Sequence, residues 1–320
     1  LKVEENELAI ICASHSGSQS HIDLVTEMLT LRGLSTDQLK NAVDKPLGEK
    51  EKISWGDKAS SQLSQNCSGK QVYTETAGCN SVVVESCQEL TAMAAAIAHS
   101  LCQASAQMCT SVQNIHIPAN GIVAGTEHVS FDEVAAAIVQ GVEKYLQNPQ
   151  VLCGTLVDDT ILATIERYRG LASQHGRLLR DSAPIHYPDF PRARTASPMI
   201  LEVTQTAREI YRDEIFGPVS FIIKGESIDE CLRDATTNAR ECGAITSHVY
   251  STDEEFLDRA EAAYNNAGAS VACNLLGMPI NFAAAYSDYH VTGLNPAGNA
   301  CLADLAFVAS RFRIVQSKRM

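Results

Sequence analysis

A cysteine and a carboxylate set 34 positions apart are the residue types needed for covalent thiol chemistry on a carbonyl. They are Glu75, in Thr74-Glu75-Thr76-Ala77-Gly78, and Cys109, in Ser105-Ala106-Gln107-Met108-Cys109-Thr110. A thiolate attacks the carbonyl carbon, and a carboxylate activates the water that later hydrolyses the thioester. A third string, Asp213-Glu214-Ile215-Phe216-Gly217-Pro218-Val219, lies further along the chain. Taken singly, each residue has a plain explanation. Cys109 is one of eleven cysteines, and a cysteine in an apolar stretch, such as Cys12, Cys153 or Cys273, is ordinarily a small buried hydrophobe. Glu75 alone would be a solvated charge near a strand start. The surrounding strings and their spacing are what favour chemistry.

The elements that must position these residues alternate. Leu8 to Cys12 is a short apolar run, a buried strand, followed by the polar loop Ser14-His15-Ser16-Gly17-Ser18. A helix is predicted near His21 to Leu31, with Ser20 and Asp23 as start signals and Gly33 as the stop. Residues 44 to 66 are polar and irregular. Beyond residue 71, Val82-Val83-Val84 reads as a strand and Gln88 to Ala104 as a buried Ala-rich helix. Further helices are predicted near 131–146, 158–174, 228–241 and 253–266. Capping boxes open three of them, at Ser130 to Glu133, Ser227 to Glu230 and Thr252 to Glu255. Strands are predicted at Ile115 to Pro118, Met199 to Val203, Val219 to Ile223, Ala244 to Tyr250, Ser270 to Asn274 and Phe312 to Val315. Leu178 to Arg194, with three prolines and several basic residues, reads as a surface excursion. Alternation of this kind predicts an α/β fold with a mainly parallel sheet.

Composition narrows the classes. With 45% hydrophobic and 20% charged residues, the 320-residue chain can build a core in one large domain or two ordinary ones. A net charge of −13 argues against nucleic acid or an anionic membrane as partner. No apolar run approaches the roughly 18 to 20 residues that span a bilayer. The acidic start, Leu1-Lys2-Val3-Glu4-Glu5, has no signal-peptide core and no Met, so the chain is expected to begin inside a longer reading frame. Scattered, odd-numbered cysteines point to a reducing, cytoplasmic setting.

Residues 71–320 resemble the catalytic domain of the aldehyde dehydrogenases, closest to their phenylacetic-acid-degradation branch. The resemblance rests on the three strings above and on Asn281-Phe282-Ala283-Ala284-Ala285-Tyr286-Ser287-Asp288-Tyr289-His290 with Gly293-Leu294-Asn295-Pro296. It implies oxidation of an aldehyde, an aromatic-degradation semialdehyde among the candidates, to an acid with NAD or NADP. Cys109 would be the nucleophile and its backbone N–H half of an oxyanion hole. Glu75 would be the base, Glu214 would bond the nicotinamide ribose and Phe216 would pack beside it. His290 and Tyr289 read as packing or loop residues. Two positions depart from the family pattern. Ala106 stands where a glycine is usual, and only Gly78 remains of two glycines. The Rossmann-type cofactor domain expected upstream of the glutamate motif is not visible here, which implies impaired activity for this chain.

Residues 7–70 resemble a fragment of the thermolabile or rhizobial-type L-asparaginases. The matching strings are Cys12-Ala13-Ser14-His15-Ser16-Gly17 and Gln65-Asn66-Cys67-Ser68-Gly69-Lys70. In that family serine and lysine side chains activate a nucleophile for amide hydrolysis, but the Ser-x-x-Lys segment is absent. Cys67 and Lys70 alone make a poor metal site, since zinc takes four ligands. The expected organisation is therefore a short α/β fragment, 1–70, preceding an aldehyde-dehydrogenase-like catalytic domain, 71–320. The favoured reading is an oxidoreductase acting on a small aldehyde, with no metal, no nucleic acid and no membrane as partners, and a homo-oligomer left open. The alternatives are an asparaginase-type amidohydrolase or an inactive chimeric scaffold.

Overall fold

The computed structural model describes residues 78–149, 152–277 and 317–319, together with the short strands β1 (Ala9–Ile10) and β2 (Val72–Tyr73). The chain divides into two units, Leu1–Ala77 with Asn295–Phe312, and Gly78–Leu294 with Arg313–Met320. In the first, β1 and β2 pair in parallel. The remaining elements belong to the second. In order they are β3 (Asn80–Val84), β4 (Ser86–Cys87), α1 (Leu90–Cys102), β5 (Val112–Pro118), β6 (Ile122–Ala124), β7 (Glu127–Val129) and α2 (Phe131–Leu146). There follow α3 (Thr160–His175), β8 (Gly176–Arg180), β9 (Met199–Thr204), α4 (Arg208–Tyr211), β10 (Val219–Gly225) and α5 (Ile228–Cys242). The unit closes with β11 (Thr246–Tyr250), α6 (Glu254–Ala267), β12 (Ser270–Cys273) and β13 (Ser317–Arg319).

The main sheet runs β13-β12-β11-β3-β5-β10-β9-β8. Every pairing in it is parallel except that of β8 with β9. Side chains alternate across a strand, and here both faces are covered. Val82, Val84, Ile115, Ile117, Ile200 and Ile222 face α1 and α2. On the other face, Val83, Val249 and Val271 meet α5 and α6. Leu201, Phe221 and Ile223 meet α3 and Tyr211 there. Helices α1 and α2 approach closely because residue 141 is glycine: a Cβ at Gly141 would lie 2.9 Å from the Ala98 Cβ. A small sheet, β4-β6-β7, completes the unit.

The helices near 131–146, 158–174, 228–241 and 253–266 stand within two residues of expectation, and α1 is shorter at each end. The fold class is α/β with a mainly parallel sheet, as predicted. Local details differ. The box at Ser130–Glu133 has both reciprocal bonds, whereas at Ser227 only the serine half forms and Glu230 turns to Arg233. The α6 cap is Asp253 rather than Thr252, its carboxylate accepting from the Glu255 and Phe256 amides. The stretch Leu178 to Arg194 is not wholly an excursion, because its first residues lie in β8. That edge strand carries no apolar alternation (Gly-Arg-Leu-Leu-Arg), so only pairing with β9 reveals it. Phe312 to Val315 and the segment 281–296 lie outside the described residues, as does the predicted helix near His21 to Leu31. Cys153 and Cys273 are buried, as expected of structural thiols.

Candidate functional site

Cys109 lies in the turn between α1 and β5, and the backbone entering that turn is strained. Ala104, Ser105 and Ala106 have φ of 52°, 54° and 53°, three successive non-glycine residues in the left-handed region. Each such residue costs about 1–2 kcal/mol in a left-handed helical conformation. The conformation is held by bonds to the neighbouring chain at 152–157. The Ala104 amide donates to Leu152 O at 2.7 Å. Ser105 Oγ donates to Gly154 O at 2.9 Å and accepts from the Gly154 amide at 3.1 Å. Gln107 Nε2 donates to Thr155 O at 3.0 Å, and Gln107 Oε1 accepts from the Val157 amide at 2.8 Å.

Beyond the turn, one buried carboxamide ties Cys109 into the sheet. Asn80 Nδ2 donates to Cys109 O at 2.7 Å and to Ser111 O at 2.9 Å. Asn80 Oδ1 accepts from the Ile245 and Thr246 amides, both at 3.0 Å. This amide group is fully satisfied, which burial demands. Cys109 is half-buried, as is Cys242, while the other described cysteines are buried. Accessibility of this kind is what a reacting thiol needs. Cys79 shows the opposite condition. Burial, then the neighbouring Cys242 and Glu214, push its thiol far above the ordinary range, with Asn238, Asn114 and Gln113 amides around the sulfur.

Glu214 and Phe216 stand in the loop between α4 and β10. Gly78 shows how near that loop comes to the nucleophile turn. A Cβ placed on Gly78 would lie 2.1 Å from Glu214 Oε1 and 3.1 Å from Cys109 O. The absence of a side chain at residue 78 therefore lets the Glu214 carboxylate rest beside the backbone that carries Cys109. Gly78, Ala106, Met108, Gln113, Glu214 and Phe216 line a cavity of about 10 Å³ here. That is room for one water.

The chain thus brings Cys109, Glu214 and Phe216 to one place. Glu75 lies outside the described residues, and so do the Cys12 to Gly17 and Gln65 to Lys70 strings. Sequence reasoning assigned no role to Asn80, Gln107, Gln113 or Asn114. Val-Gln-Asn-Ile-His-Ile-Pro puts three polar side chains in a strand whose burial throughout only the structure reveals. The third, His116, is fully buried with Nδ1 3.5 Å from Asp234 Oδ2, and burial pushes its pKa down to about 4. Asp234 also accepts the Tyr211 hydroxyl at 2.8 Å.

A nicotinamide cofactor can be tested against these residues. On its ribose side the chemistry matches, a carboxylate acceptor and an aromatic ring beside backbone where a Cβ would intrude, but the cavity they line is the size of one water and would have to widen to take a ribose. Among the described residues, no strand leads into a helix through a Gly-rich phosphate-binding turn of the G-x-G-x-x-G kind. No group of three or more potential metal ligands occurs among them either. Among the described residues, no helix is long and apolar enough to cross a membrane.

The described residues form an α/β scaffold whose mainly parallel sheet is covered on both faces, with a held cysteine turn beside a Glu-x-Phe-Gly-Pro loop. Residues 53–276, more than half of the chain, match the aldehyde dehydrogenase family model, and the chain belongs to that family. Residues 1–72 match L-asparaginase II, so the two matches overlap over 53–72. Among solved structures, the NAD-dependent aldehyde dehydrogenase of Burkholderia multivorans is 42% identical with a TM-score of 0.72, over 80% of this chain and 46% of that one. An aldehyde dehydrogenase-like protein of Saccharomyces cerevisiae is 21% identical, covering 72% of this chain and 37% of its own length. The 1-pyrroline-5-carboxylate dehydrogenase of Oceanobacillus iheyensis is 27% identical, covering 61% and 36%. The chain spans less than half the length of each of these relatives.

Proposed function

We propose that residues 71–320 carry the catalytic half of an NAD(P)-dependent aldehyde dehydrogenase, with residues 1–70 an asparaginase-derived segment. The supporting observation is the meeting of the Glu214 carboxylate and the Cys109 backbone at Gly78. In this reading the Cys109 thiolate bonds to the aldehyde carbon, giving a thiohemiacetal whose oxyanion receives the Cys109 amide proton as a hydrogen bond. A bound nicotinamide supplies a two-electron acceptor for the hydride that leaves that carbon. Glu214 would accept from a ribose hydroxyl of that cofactor and Phe216 would pack beside it. Glu75 takes a proton from the water that cleaves the thioester, releasing the acid and restoring the thiolate. The motif strings favour a semialdehyde from aromatic degradation as substrate, and the reaction is a cytoplasmic one.

The test is reduction of NAD or NADP by purified chain with a panel of aliphatic and aromatic aldehydes. Aldehyde-dependent reduction that disappears in Cys109→Ala is the expected result. A second reading, amide hydrolysis, draws on the match of residues 1–72. Ammonia release from asparagine that persists in Cys109→Ala, without aldehyde oxidation, would favour it.

A further inference from the structure

The loop that carries Glu214 has no regular structure between α4 and β10, yet a single side chain spans it. The register of β3 against β5 shows how. Asn80 faces Val112 and Ser81 faces Asn114, so Gln113 is the extra residue of a β-bulge. A bulge re-aims its side chain, and bulges recur beside active sites. Here the Gln113 and Asn114 side chains both reach the Tyr211 carbonyl, each at 3.0 Å. Gln113 Nε2 also donates to Asp213 O at 3.0 Å, and Gln113 Oε1 accepts from the Ile215 amide at 2.7 Å. The carboxamide thus takes the place of a neighbouring strand for residues 211–215. It bonds the backbone on both sides of Glu214, and it does so four residues from Cys109.

We propose that Gln113 is the positioning residue of the cofactor side of the site. It fixes the Glu214–Phe216 backbone against β5, while Asn80 fixes the Cys109 turn against β11. Two carboxamides therefore hold the two halves of the site separately. This role rests on the aldehyde dehydrogenase reading for its consequence and on the bulge geometry for its existence. Gln113 is 4% exposed, so its polar atoms have these backbone groups, and not solvent, to bond.

The experiment compares parent, Gln113→Met and Gln113→Glu in the full chain. Methionine keeps the length and loses every bond, whereas glutamate keeps the acceptor for Ile215 and, neutral in this buried setting, a single donor in place of two. In Gln113→Met, amide exchange at Ile215 should quicken by about tenfold, as for one lost local bond, while Ile222 in β10 stays within about twofold. In Gln113→Glu the Ile215 amide should stay protected. In both variants the KM for NAD should rise without an equal fall in kcat. Unchanged exchange at Ile215 in Gln113→Met would overturn the assignment. So would parallel loss of protection at Ile215 and Ile222, the mark of a merely structural role. Should the parent itself fail to acylate at Cys109, the functional reading fails, and the exchange data still decide the positioning role.

Discussion

The strain before Cys109 can be tested by removing a methyl group that sits in an unfavourable conformation. Ala106 has φ of 53° and is 4% exposed. Three terms decide the effect of Ala106→Gly. Relief of the left-handed conformation gains about 1–2 kcal/mol. The freer unfolded chain costs about 0.4–1 kcal/mol, and loss of one buried methyl costs about 0.8 kcal/mol. The sum lies within about 1 kcal/mol of zero. Ala96 is the control, because it is similarly buried, at 6% exposure, in the middle of α1. There glycine costs about 1 kcal/mol in helix propensity and about 0.8 in burial, with no strain to relieve, for a loss of about 1.8 kcal/mol. Urea unfolding followed by far-UV circular dichroism would read both, provided the m-value is unchanged. If Ala106→Gly loses as much stability as Ala96→Gly, the strain argument is refuted. The near-cancellation also accounts for alanine being tolerated at residue 106 despite its positive φ.

Other outcomes follow from the same structure. Limited alkylation with peptide mapping should label Cys109 ahead of Cys242, the other half-buried described thiol, whose pKa burial raises; preferential labelling of Cys242 would count against the nucleophile. Burial lowers the pKa of His248 to about 3 and that of His116 to about 4. The unfolded state therefore takes up protons first as pH falls below the ordinary value of about 6.5. Each buried histidine then removes about 1.4 kcal/mol per pH unit until its folded value is reached. Stability between pH 6 and 4.5 should accordingly depend less steeply on pH in His248→Gln by about 1.4 kcal/mol per unit. An unchanged slope in urea titrations would show that His248 is protonated in the folded chain.

The fold was largely legible because its signals are local. Apolar runs such as Val82-Val83-Val84, and Ser130 three residues before Glu133, mark strand and helix within a few residues. β8 was missed because an exposed edge strand needs no alternation, and Thr252 was mistaken for a cap because Asp253 offers a better acceptor one residue on. The strings singled out Cys109, Glu214 and Phe216, whose segments the structure brings near one another. Asn80, Gln107 and Gln113 were not, since their work is to bond backbone from distant segments. Asn80 spans 165 residues to Ile245, and Gln113 spans 102 to Ile215. A bulge, moreover, is a property of pairing and leaves no mark in one strand alone.

The central claim is that Cys109 is a nucleophile toward carbonyl carbon. Its most direct test is mass-spectrometric mapping of the acyl group after brief reaction of the full chain with an activated aryl ester, a route that needs no hydride acceptor. A nucleophilic Cys109 should yield one acyl group per chain, on the peptide bearing Cys109, with no turnover in Cys109→Ala. Acylation at another residue, or hydrolysis by Cys109→Ala at the parent rate, would contradict it.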